Sequence, residues 1–580
     1  MARDLAHVGG WGVGLILGVV FLFFLRLRTL LVMALTIGVG CVWAFAFARL
    51  AIGHLNTATG FLFSIIAGNG INFGIIYMAR YIEGRRDEAL DVPAAIHTAH
   101  AETHIATLAA AGAAMVAYGS LAATDFKGFK HFGVIGGGGM LLCWIATYLV
   151  LPALLVLTER MSPMFGVTRG WRRRLRGYYG YPFAWLAGKA PRTLAVSGVA
   201  LGIAACVLGG RYLAHDPMEY NLRNVRNDMV SPSSAGLLSR KVDAIVGRLG
   251  QDGRAIVVDD LAQVQPLVTE LQRRHAAAPA DEKPFSRVVS VFDLLPRDQE
   301  RKLELIGEIR DRLERAHKRG SIPRQDFERL HSYLPEHLRP LDLDSLPELL
   351  ARPFTEADGT RGTIVYIAPT EGRSVYDAHY LMRWADAFRE VRLPDGSVIR
   401  GTGDPVIFSD MLLNIAEDAP RAILLSLVGT VLVILVAFRG RRFGWLALGS
   451  LVIGIAWLLA FLAIRDIKLN FLNFVALPIS IGVGADYAIN VMKRRELAGE
   501  ARLHRVLVET GGAVVLCSLT TTLGYLALLL SINRAVRSFG LAAAVGEVTT
   551  LVAAMIVLPA ILFWQAKRNR QAVRASGGAT

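Results

Sequence analysis

The segment SIGVGADYAINVM (480–492) decides how the chain is read, because a stretch otherwise as apolar as a lipid tail carries an aspartate, Asp486. An ionised carboxylate near mid-bilayer costs a few kcal/mol or more, and it persists there only facing a bundle interior or a wet cavity. Asp486 falls about 16 residues into an apolar run that starts near residue 470, which sets it near or past the midplane of a roughly 30 Å hydrocarbon core. An acid held there can gain and lose a proton, which is what a proton carrier requires. Tyr487 is adjacent, and Asn490 follows one helical turn later on the same face. Gly482 and Gly484, with Pro478 ahead of them, thin and loosen the helix and let a neighbour approach. The polar neighbour expected to lie that close is SLTTTLGY (518–525), whose Thr520, Thr521 and Thr522 offer hydroxyls at membrane depth. A purely structural reading, in which Asp486 only ties helices together by a hydrogen bond, stands beside the carrier reading.

The rest of the chain agrees with a membrane setting. Of 580 residues, 53% are hydrophobic and 19% charged, and the mean hydropathy is +0.41, too oily for an ordinary soluble protein of this size. Runs long enough to cross a bilayer occur near 9–25, 30–50, 57–79, 105–122, 132–157, 194–212, 422–438, 443–464, 470–492, 511–530 and 537–563. These make about eleven spans. The net charge of +15 invites a nucleic-acid reading, which its distribution removes. Residues 213–420 hold 28 Lys+Arg against 34 Asp+Glu, a net −6, so the remainder carries +21. Lys and Arg concentrate in alternate loops, about 25 on one side against about 8 on the other, with RGWRRRLRG (169–177) the densest run. By the positive-inside rule this puts the basic tail (566–580) and the 158–193 linker in the cytoplasm and 213–420 outside.

Sliding the chain along itself shows an internal repeat. HLNTATGFLFSIIAGNGINFGIIYMAR (54–80) lies over KLNFLNFVALPISIGVGADYAINVMKR (468–494) without a gap, so Asn56 falls on Asn470, Gly68 on Gly482, and Arg80 on Arg494. Further on, after a seven-residue excess in the first copy, Glu102 falls on Glu509, Tyr118 on Tyr525, Gly133 on Gly540 and Pro152 on Pro559. Two five-helix bundles, 1–157 and 421–565, are thus related by repetition. One further span (194–212) and an external domain (213–420) precede the second. The first opens directly on its five helices, so the chain reads as lacking a first helix and a first external domain. Strand-like runs at 254–259, 287–295 and 362–369 alternate with helical patterns at 261–274, 298–319 and 377–391. That order predicts an α+β external domain of split βαβ type.

The repeat also compares the chemistry of its copies. Opposite GADY (484–487) stands GINF (70–73): Asn72 replaces the acid, Phe73 the phenol, and Ala113, Ala114 and Met115 the three threonines. Asn72 is expected to hydrogen-bond Asp486 across a pseudo-twofold axis. Glu547 is a second acid within a span, mated with Met140, and reads equally as a relay site or a packing hydrogen bond. The four cysteines all fall in spans, and no Cys/His metal cluster, Walker A pattern or nucleophile elbow occurs. GGGG (136–139) follows no strand and lacks the Lys-Ser/Thr of a phosphate loop. Neither an enzyme, a metal nor a cofactor is expected, and energy would have to come from an ion gradient.

The ADY pair in the fourth helix of a five-helix repeat, with its mirror GNGINFG, resembles the resistance-nodulation-division (RND) superfamily, and most closely its lipid-exporting MMPL branch, which includes hopanoid-associated transporters. The resemblance covers essentially the whole chain. It implies a multi-pass protein of the bacterial inner membrane with a periplasmic porter-like domain, exporting hydrophobic or lipid-like molecules by proton antiport. It also implies that Asp486 and Tyr487 match one of the family's two Asp–Tyr pairs, while Asn72 and Phe73 depart from the other. A partner chain or homo-oligomer remains open. Two other readings stay in view: a non-transporting RND-fold scaffold or sterol-sensing-like module, and an export accessory resembling SecD/SecF.

Overall fold

The computed structural model describes residues 2–56, 59, 62–161, 179–225, 254–334, 339–370, 373–374, 376–499 and 503–577. The basic run 169–177 lies outside the described residues, as does the whole of 162–178 within the 158–193 linker. The chain divides into two compact units, residues 1–229 with 411–580, and residues 230–410.

Among the described residues, eleven helical spans are long and apolar enough to cross a membrane. The first copy supplies α1 (Ala2–Phe24), α2 (Leu27–Ala51), α3 (Leu62–Arg86), α4 (Val92–Gly119) and α5 (Lys127–Met161). A short helix, α6 (Tyr181–Lys189), leads into α7 (Pro191–Ala214). In the 230–410 unit α8 (Val264–Ala277), α9 (Gln299–Lys318) and α10 (Ala378–Arg389) follow in order. The second copy is α11 (Asp404–Ala437), α12 (Arg442–Ile464), α13 (Ala476–Ala498), α14 (Leu503–Ala527), and α15 (Arg534–Val552) continued by α16 (Leu558–Gly577). The last two are one span, joined by a π turn at Ala553–Val557. Pro559 lacks the N–H that would complete the ladder there, which accounts for the widened turn.

The repeat mates α3 and α13 are the central helices, and every residue of α13 from Ala476 to Met492 is buried. Small residues bring their neighbours close. A side chain at Gly68 in α3 would face the Thr520 carbonyl of α14, and one at Gly482 in α13 would run into Ala117 and the Ala113 carbonyl of α4. Each central helix therefore packs on the next helix of the opposite copy, α3 on α14 and α13 on α4. Without a hydrophobic force between helices in lipid, such close backbone contact is what holds them. Gly133 against the Tyr118 carbonyl and Gly540 against the Tyr525 carbonyl repeat one α4–α5 type contact in both copies.

In the 230–410 unit, β1 (Arg254–Val257), β2 (Arg287–Val289) and β3 (Ile364–Ala368) form a sheet of order β1-β3-β2. Both outer strands run antiparallel to β3, with Ile256 opposite Val365 and Val288 opposite Ile367. They are thus parallel to each other and joined through α8, the split βαβ arrangement expected. Buried Leu267 and Leu271 of α8 and Trp384 and Phe388 of α10 contribute to its core. The run 287–295 is a strand only to Val289. At Ser290 the Asp293 carboxylate accepts the Ser290 N–H at 2.8 Å and closes a capped 3-10 turn over Val291–Leu294, a local bond that competes with the strand ladder.

Candidate functional site

The site centres on α13. Helical spacing puts Asn490 one turn after Asp486, and its amide donates both to the Asp486 backbone carbonyl at 3.0 Å and to the Asp486 carboxylate. Asp486 is only 6% exposed. Tyr487, fully buried, points to another side of the helix, and its hydroxyl donates to Glu547 of α15. Glu547 is 0% exposed, and its second oxygen, Oε1, has no hydrogen-bond partner among the described residues. Gly484 seats α13 directly against Thr550, one turn beyond Glu547, which sets the two helices close enough for this bond. The second copy thus gathers two acids, a phenol and an amide. Their mates in the first copy, Asn72, Phe73 and Met140, are neutral, and Phe73 and Met140 carry no group to repeat the Tyr487–Glu547 bond.

The threonines are not where the sequence reading expects them. Thr520 Oγ1 donates to Asn72 Oδ1 at 3.3 Å, and Asn72 Nδ2 donates to Thr521 Oγ1 at 3.2 Å. The Thr521 hydroxyl in turn donates to the Gly68 carbonyl at 3.4 Å. Among the hydrogen bonds of the described residues, neither these two nor Thr522 reaches Asp486, and none joins Asn72 to Asp486. The cause is the crosswise pairing. The threonines of α14 meet α3, while α13 meets α4, where the matching positions are Ala113 and Ala114 and no hydroxyl is available.

Two features were missed in the sequence. Asn69 of α3 donates to the hydroxyls of both Tyr118 (2.7 Å) and Tyr525 (3.3 Å), bridging a pair of repeat mates from the two copies. At the basic-loop end, Glu102 accepts from Arg80 of its own copy (2.7 and 3.1 Å) and from Arg494 of the other, and Arg494 also reaches Glu83 at 2.9 Å. The signal for both lay in the repeat, where Tyr118 and Tyr525, Arg80 and Arg494, and Glu102 and Glu509 coincide. These ions border a cavity of about 510 Å³ whose lining also includes Thr103 and Asn490. Asn490 therefore faces the cavity and holds Asp486, leaving the acid one side chain away from a polar space. No group of three or more metal-ligating side chains occurs among the described residues.

Two repeated bundles whose central helices cross-pack around buried acids define a multi-pass membrane protein of the RND build. The chain belongs to the MMPL family, whose sequence model matches residues 1–185 and 326–577. Hopanoid transporter HpnN of Rhodopseudomonas palustris (strain TIE-1) is 23% identical over 605 residues, covering 95% of this chain and 66% of that protein. Its namesake in Burkholderia multivorans is 24% identical over 628 residues with the same coverage. The chain thus spans 66% of the length of these relatives. In fold it is similar to SecDF of Thermus thermophilus, a translocon-associated membrane protein. That likeness has a TM-score of 0.55 and 15% identity over 97% of this chain and 62% of the other.

Proposed function

We propose that this chain is the proton-coupled part of an exporter of hydrophobic or lipid-like molecules in a bacterial inner membrane, with residues 213–420 on the periplasmic side. The observation that carries the reading is the single-copy cluster. Asp486 is the group that loads and unloads a proton, Asn490 connects it to the polar cavity, and Tyr487 with Glu547 forms a second hydrogen-bonded station. A carboxylic acid exchanges a proton with water only where a polar path reaches it, and Asn490 supplies the last link of one. A proton moving through about 100 mV releases about 2.3 kcal/mol, enough to bias a two-state motion of one bundle against the other. The hopanoid transporters that match the chain favour a lipid substrate of related chemistry.

The test uses the full chain in liposomes that contain a hopanoid, enclose a pH-sensitive dye and carry an imposed pH gradient. Asp486→Asn should abolish lipid-stimulated proton flux while the protein inserts and elutes normally. Unchanged flux would overturn the carrier role and favour a scaffold.

A further inference from the structure

A second cavity, of about 590 Å³, lies away from the acids, between α4 and α11 at the end of the bundle that carries the Arg439–Arg442 turn. We propose that it binds one anionic phospholipid, with an acyl chain in the crevice and the phosphate on its basic rim.

The walls follow from the helix contacts. α4 and α11 touch where Gly429 faces Val116 and Gly112 faces Val433. Toward the basic end no glycine continues the contact, and Ile105 and Leu108 stand across the cavity from Leu432 and Val436. Leu432 and Val436 are 57% and 77% exposed, so the crevice presents apolar side chains to the membrane. Lipid tails gain little by leaving one hydrocarbon setting for another. Selectivity must come from the rim.

The rim holds Arg439, Arg441 and Lys493 against one acid, Glu496. Glu496 accepts from both Arg441 and Lys493 at 2.8 Å, and the Lys493 ammonium also stands 4.5 Å from the Phe438 ring centre. These bonds leave the site two positive charges in excess, and the Arg439 guanidinium has no hydrogen-bond or ion-pair partner among the described residues, its backbone N–H alone donating to the Val436 carbonyl. Arg439 also adopts a left-handed conformation, φ 52°, beside Gly440 at φ 68°. Side chains other than Gly, Asn and Asp seldom occupy that region. The turn so formed reverses the chain between α11 and α12 and leaves this free guanidinium at the mouth of the crevice. A net charge of +2 with one unpaired guanidinium at the end of an apolar slot matches the headgroup of an anionic lipid in the leaflet facing the basic loops.

The full chain, placed in nanodiscs of equal phosphatidylglycerol and phosphatidylcholine and ejected for native mass spectrometry, should retain phosphatidylglycerol preferentially. Arg439→Gln and Arg441→Gln should each lower that preference roughly fivefold. Val436→Trp, which fills the crevice without altering charge, should lower it as well, and Glu496→Gln should raise it. Equal retention of both lipids would overturn the proposal. So would a preference that survives both Val436→Trp and Arg439→Gln, since the lipid would then be held by the basic surface at large. Lipid retention is read without any proton gradient, so the outcome is independent of the transport reading.

Discussion

Gly482 and Gly68 are repeat mates, yet the structure predicts opposite responses to an added methyl group. At Gly482 a Cβ would collide with the Ala117 Cβ and stand 2.6 Å from the Ala113 carbonyl oxygen, backbone of α4 that cannot rotate aside. At Gly68 the nearest atoms are Ile16 Cδ1 at 3.4 Å and the Thr520 carbonyl oxygen at 3.7 Å, ordinary contacts. Overpacking a well-filled interior costs about 1–3 kcal/mol, and the carbonyl obstruction puts Gly482→Ala at the upper end. Gly68→Ala meets no such obstruction and gains up to about 1 kcal/mol of helix propensity. The two variants should thus differ by about 2–4 kcal/mol. Reversible unfolding of the purified chain in mixed detergent, followed by tryptophan fluorescence, measures this difference. Adding Ala117→Gly to Gly482→Ala should restore only part of the loss, because the Ala113 carbonyl remains in the way. Equal effects at the two glycines, or full rescue by Ala117→Gly, would refute the Ala113 carbonyl as the obstacle at Gly482.

Tyr487→Phe removes the hydroxyl that donates to buried Glu547 and should cut proton flux about tenfold, in line with the roughly 1–3 kcal/mol cost of leaving a buried polar group unsatisfied; Phe73→Tyr should leave flux unchanged. Asn72→Leu should cost about 0.6–1.7 kcal/mol of stability yet keep flux within twofold, because Thr520 still donates to the Leu516 and Cys517 carbonyls; loss of flux in liposomes would bring Asn72 into the relay. Glu102→Gln removes the acid shared by Arg80 and Arg494. Breaking a fully buried pair costs about 3–5 kcal/mol, but both arginines keep Glu83, and Arg80 keeps Glu88 as well. The expected loss is therefore about 1–3 kcal/mol, read in the same unfolding assay.

Much of the site could be seen in one dimension. Asp486 and Glu547 stand out because a charge inside an apolar run has few uses. Asn490 was legible as a partner because one helical turn fixes which residues share a face. The threonines misled for the complementary reason. Periodicity gives the face of α14 that carries Thr520 and Thr521, but not the helix that face meets. Asn69 escaped notice because a lone asparagine between two glycines has no partner in its own helix. Its role depends on two tyrosines that lie 49 and 456 residues away.

By itself the sequence determined the eleven spans, the repeat and the asymmetry between an acidic and a neutral copy. These rest on hydropathy, length and residue identity, which are local or survive a direct comparison of the chain with itself. Tertiary structure alone decided the partners: Thr520 and Thr521 with Asn72, Tyr487 with Glu547, Glu102 with an arginine from each copy. Interhelical hydrogen bonds follow from which backbones can approach. That is set by where glycines and alanines of distant helices meet between the two copies, and no local pattern in either helix records it.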